Sequence, residues 1–176
     1  MTFRFKLFKA LTGINLFITG FFVMMNFASM LMGAFGQGLV SIVMFGGVFI
    51  HAILSAYLQR SLQDPSFTLK ENTPGGIRIM GGYTILIGAL MLLCAIAIFI
   101  VMNLDLKQVS SQITDEQREQ LETIRSLRGA AMTMMQFVLF LYGASIITNA
   151  LLSLSFLQQW KKKQEDDKHI DLDLDA

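Results

Sequence analysis

His51 and Asn149 are the two side chains best placed by type to carry chemistry, because each stands inside a long apolar run of the chain. An imidazole can donate, accept, shuttle a proton or bind a metal, and a carboxamide both donates and accepts. A polar group moved into lipid loses its water and needs a partner, which makes it a functional candidate by default. Asn15, Asn26, Gln136 and Tyr142 are lesser candidates on the same ground.

What the pair can do is narrowed by its surroundings. No Asp or Glu occurs in any of the apolar runs, which disfavours proton relays, cation pathways and paired-carboxylate catalysis. Ser55, one helical turn after His51, is a nominal nucleophile, yet no third group is at hand to orient the imidazole. Haem ligation by two histidines fails within one chain, since His169, the other histidine, sits in the charged C-terminal tail. Met-x-Met pairs such as Met30 with Met32 and Met132 with Met134 suit Cu(I), but no cysteine or histidine joins them, and gap filling between helices explains methionine better. No cofactor, no metal and no enzymatic activity are expected. The plain role of His51 is an interhelical hydrogen bond, worth about 0.6 kcal/mol on average in a membrane bundle.

The elements that position these residues follow from charge segregation. The 176 residues are 53% apolar and 15% charged, and no Lys, Arg, Asp or Glu falls between Lys9 and Arg60, between Arg78 and Asp105, or between Arg128 and Lys161. About 20 residues at 1.5 Å each cross a 30 Å hydrocarbon core, so the first gap holds two spans and the others one each. Gly33-Ala34-Phe35-Gly36-Gln37-Gly38 divides the first gap. The spacing predicts spans over about 8–32, 39–59, 79–104 and 129–158, in one four-helix transmembrane domain over 1–160. Asp64-Pro65 and Thr73-Pro74-Gly75-Gly76 mark 61–77 as a loop. The fold class is therefore an all-α membrane protein, a four-transmembrane-helix bundle.

Ten of the 14 Lys and Arg residues fall on the side of the termini and the 61–77 loop, which predicts cytoplasmic N and C termini in a plasma or inner membrane. Tyr57, Trp160 and the Phe3, Phe5, Phe8 series beside basic residues read as interface anchors. An N-terminal apolar run of about 23 residues, without a convincing cleavage site, reads as an uncleaved helix.

Two internal matches suggest related helical hairpins. Gly13 to Gly20 resembles Gly81 to Gly88, and His51-Ala52-Ile53-Leu54-Ser55 aligns with Asn149-Ala150-Leu151-Leu152-Ser153, which sets His51 and Asn149 at equivalent depth. Glycines at 46, 47, 81, 82, 88 and 143 are candidate packing seams.

Between spans three and four, residues 105–128 read as an outer helical extension. Thr114-Asp115-Glu116-Gln117 forms a capping box, and Leu121, Ile124 and Leu127 make an apolar stripe that either packs against Leu106, Val109 and Ile113 or offers a surface to a protein partner. The charged tail, 161–176, is expected to lack regular structure. A net charge of +1 excludes a strongly basic nucleic-acid binder. The expected partners are the lipid bilayer and a protein partner or second copy, and the expected function is that of a scaffold or accessory subunit. The alternative is a channel or carrier for a small neutral or lipid-like solute around His51 and Asn149.

Overall fold

The computed structural model describes residues 2–64, 66–103, 114, 119–120 and 130–174, with side chains described up to Ile100 and, in the last helix, from Ala131 to Glu165. Leu121, Ile124, Leu127 and the rest of the capping box after Thr114 lie outside the described residues, as does nearly all of the 105–128 segment. Among the described residues there are four long helices and no strand: α1 (Phe3–Leu31), α2 (Phe35–Gln63), α3 (Thr73–Asn103) and α4 (Ala130–Leu174). Each contains a stretch long and apolar enough to cross a membrane. Twenty-nine residues, the length of α1 and of α2, rise roughly 43 Å, well beyond a core of about 30 Å.

The helices begin and end where backbone chemistry permits rather than where charge stops. α1 closes in a Schellman motif: Gly33 takes φ +100°, its N–H donates to the Met30 carbonyl, and the Ala34 N–H donates to Ser29 at 3.1 Å. Three residues thus complete the reversal expected to occupy Gly33 to Gly38. Gly36 and Gly38 instead lie in the first turns of α2, where a Cβ at Gly38 would collide with Met30 of α1. The loop expected over 61–77 is shorter than predicted, because α2 runs on to Gln63 and α3 starts at Thr73. Pro74 sits in the first turn of α3, where its missing N–H leaves no bond unmade. α4 continues to Leu174 through the segment expected to be unstructured. Lys161 stands four residues before Glu165, a spacing that favours helix.

The chain divides into two compact units, Met1–Ile87 with Ser145–Ala176, and Gly88–Ala144. In the first unit the contacts give each helix a direction. Phe22 stacks on Phe45 at 5.0 Å and a Cβ at Gly20 would meet Phe49, so α1 and α2 are antiparallel. Tyr83 lies on Gly47 and Gly76 beside Leu54, so α3 is antiparallel to α2. Ser55 pairs with Ser153 and Ser61 with Trp160, so α4 runs parallel to α2. This is an up-down-up-down bundle. At the end carrying the N-terminus, Phe5, Phe8, Leu58, Ile77, Leu152, Phe156 and Leu157 form an apolar core. Phe5 and Phe8, expected to anchor at the lipid boundary, are buried there against the Phe156 ring, at 5.5 and 5.2 Å.

The described part of the second unit holds the end of α3 and the start of α4. Met91 and Ala95 are buried in it, and a Cβ at Gly143 would stand 3.1 Å from the Gly88 carbonyl oxygen. Leu93, Phe99, Met134 and Phe137 are exposed.

Candidate functional site

The interior of the first unit is lined with polar side chains at helical repeat. His51, Ser55 and Gln59 recur every four residues along α2, as do Ser145, Asn149 and Ser153 along α4, while Thr12, Asn15 and Thr19 share a face of α1. Of these only Ser145 is less than fully buried. All but His51 and Thr19 are joined across helices, Thr19 donating instead to the Asn15 carbonyl of its own helix. Gln59 Nε2 donates to Thr12 Oγ1 at 2.7 Å and to the Phe8 carbonyl at 3.2 Å, and Thr12 Oγ1 in turn donates to Asn149 Oδ1 at 2.8 Å. One chain of bonds thereby ties α2 to α1 and α1 to α4. Ser55 Oγ donates to Ser153 Oγ at 3.1 Å, and Ser145 Oγ to Asn15 Oδ1 at 3.3 Å.

His51 and Asn149 each stand one turn before the Ser55–Ser153 pair on helices that run in the same direction, so they occupy one layer of the bundle. Both are 1% exposed. His51 packs against α3, with Gly81 opposite its ring: a Cβ there would stand 3.5 Å from Nε2 and 3.6 Å from Leu154 of α4. Neither ring nitrogen of His51 has a hydrogen-bond partner, nor do Asn149 Nδ2, Asn15 Nδ2 and Thr84 Oγ1. Each such group costs about 1–3 kcal/mol when buried. The Ser55 hydroxyl is turned to Ser153 and not to the imidazole, so the nominal serine–histidine pair is not assembled. Asn26 satisfies itself within α1, donating to the Phe22 carbonyl at 2.8 Å.

The glycine pairs divide their work. Gly47 accepts the Tyr83 ring, whose hydroxyl donates to the Val43 carbonyl at 2.8 Å, while Gly46 has only its own helix nearby. Gly81 faces His51, and Gly82 is open.

The cavities lie elsewhere. One of about 630 Å³ opens at the α1–α2 turn between Asn26 and Gln37, and one of about 380 Å³ beside the α2–α3 connection. In the second unit a groove of about 370 Å³ is lined by Ala95, Phe99, Phe137 and Phe140 with Thr133 and Gln136. Tyr142, in the same unit, has a buried hydroxyl without a partner. None of these three is lined by His51 or Asn149.

The proposed repeat finds unequal counterparts in burial. Ala52 and Ala150, Ser55 and Ser153, and His51 and Asn149 are all buried, as are Leu58 and Leu157. Gly13 is exposed where Gly81 is buried, and Asn15 is buried where Tyr83 is half-buried.

Sequence reading found His51, Asn149 and Asn15 and missed Thr12, Gln59, Ser153 and Thr84. The signal was the four-residue repeat of polar residues on α2 and α4. Fold and interior define the class: among the described residues, a helical protein with four apolar helices of membrane-spanning length and a polar, carboxylate-free seam within one unit. Comparison with protein-family models, with curated proteins and with solved structures finds no match to this chain.

Proposed function

We propose that the four helices cross a plasma or inner membrane with both termini on the cytoplasmic side, and that the protein is a scaffold or accessory subunit acting through helix packing rather than chemistry. The observation that carries this reading is the interior of the first unit, where the polar groups bond helix to helix and none of the three large cavities reaches His51 or Asn149. A membrane supports it from outside: Phe17, Phe27, Val43 and Phe137 are each more than half exposed, a surface that suits lipid and not water. The excess of Lys and Arg at the start of α1, the end of α2, the start of α3 and the C-terminal part of α4 supports the orientation.

Cross-linking in native membranes followed by purification in mild detergent is expected to give a discrete adduct of fixed stoichiometry, with a partner subunit or a second copy. A monodisperse single chain, free of adducts at every cross-linker dose, overturns the reading. A second reading, a carrier for a small neutral solute, draws on the unpartnered nitrogens of His51 and Asn149. It requires solute flux in proteoliposomes that falls in His51→Ala and Asn149→Ala, and unchanged flux in both removes it.

A further inference from the structure

The connection between α2 and α3 folds back as a finger over the end of α2. Asp64 starts it: the Ser66 hydroxyl and N–H donate to its carboxylate at 2.6 and 3.0 Å, an Asx turn that, with Arg60 nearby, holds the carboxyl below its ordinary range. Phe67 then stacks parallel to Tyr57, with ring centroids 6.2 Å apart, and the Arg60 guanidinium stands 4.7 Å from the Phe67 centroid. The Thr73 N–H donates to the Lys70 carbonyl at 2.9 Å and leads the chain into α3.

Phe67 and Thr68 separate two clefts of different size. The smaller, about 90 Å³ beside Trp160 and Lys163, has room for about three waters at roughly 30 Å³ each. The larger, about 380 Å³, falls within the roughly 300–1,000 Å³ of small-molecule sites. Its lining combines the apolar Leu54, Tyr57, Phe67 and Leu69 with Lys70, a cation, and the hydroxyl-bearing Thr68 and Thr73. The carboxylates on the connection are Asp64, engaged by Ser66, and Glu71, exposed beside Lys70.

We propose that this cleft holds one anionic phospholipid, its phosphate on Lys70 and the two threonine hydroxyls and the start of an acyl chain along Leu54, Tyr57 and Leu69. Free phosphate would use the lysine and leave the apolar wall wet, whereas a lipid uses both. The cleft lies at the end of the bundle where the basic residues gather, which is where an anionic leaflet attracts them. The proposal rests on the membrane reading above.

The test uses the full chain in nanodiscs of phosphatidylcholine with graded phosphatidylglycerol, followed by native mass spectrometry of the released protein. One phosphatidylglycerol per chain is expected to persist, with its apparent affinity lowered about fivefold by Lys70→Gln, the factor of a single lysine near an anionic surface. Thr68→Trp, which fills the cleft without changing charge, is expected to reduce retention to background, and Lys6→Gln to leave the single retained lipid in place. Equal losses in Lys70→Gln and Lys6→Gln, with none in Thr68→Trp, mean diffuse surface attraction and overturn the site. Displacement by millimolar inorganic phosphate overturns the lipid as occupant. Flotation of the wild-type chain with pure phosphatidylcholine vesicles separates the readings, since failure there refutes the membrane itself.

Discussion

The first unit buries histidine, asparagine, glutamine, serine and threonine among its four helices, whereas among its described residues the second buries Met91, Ala95 and its two facing glycines. Both are built from helices long and apolar enough to cross a membrane, so hydrophobicity of that order is common to the two. The difference is that four helices enclose an axis while two share only a seam. An enclosed axis can satisfy polar groups from several sides, as Thr12 does by accepting from Gln59 and donating to Asn149. A seam offers small residues and close backbones, as at Gly143 against Gly88. On the membrane reading proposed above, leucine gains nothing by leaving the solvent, so shape and hydrogen bonds hold the helices together, and the two units divide these means unequally.

The sharpest way to break the comparison is to remove one aromatic ring from each unit. Phe8 is fully buried and stacked on Phe156, so Phe8→Ala leaves a cavity and is expected to cost about 3 kcal/mol, the low end for such truncations. Phe137 is 63% exposed, and Phe137→Ala is expected to stay within about 0.5 kcal/mol. Unfolding titrations in mixed detergent micelles followed by circular dichroism measure both, and equal losses would deny the distinction between core and seam.

How much of this was legible beforehand depends on which physical signal each feature leaves. The helices announced themselves because a bilayer forbids charge, and 50 residues without one, from Ala10 to Gln59, admit little else. Their ends did not, because a helix need not stop where lipid does: Arg4, Lys6 and Arg60 are helical. Pro74 misled because proline signals a turn and the first turn of a helix equally well. His51 and Asn149 stood out as strongly polar side chains within apolar runs. Thr12 and Ser153 did not, since hydroxyls commonly satisfy themselves on the preceding turn of their own helix. Gln59 was hidden by its neighbour Arg60, which makes it read as a boundary residue. Only the packed bundle shows that its amide turns inward to the Phe8 carbonyl.

The glycines sharpen the comparison at smaller scale. At Gly47 a methyl group collides with the Tyr83 ring and would dislodge the hydroxyl from the Val43 carbonyl, so Gly47→Ala is expected to cost about 1–3 kcal/mol as overpacking. Gly46 is open on that side, and Gly46→Ala is expected to gain up to about 1 kcal/mol from helix propensity alone. Gly143 is the intermediate case in the other unit. Its methyl would meet the Gly88 carbonyl oxygen at 3.1 Å and Leu92 at 3.3 Å, contacts relieved by a shift of a few tenths of an ångström. The propensity gain offsets that strain, so Gly143→Ala is expected to fall within about 0.5 kcal/mol of wild type. The order Gly46→Ala above Gly143→Ala above Gly47→Ala, read from the same unfolding titration, places the least tolerant glycine in the unit with the polar axis. An inverted order would move it to the two-helix seam.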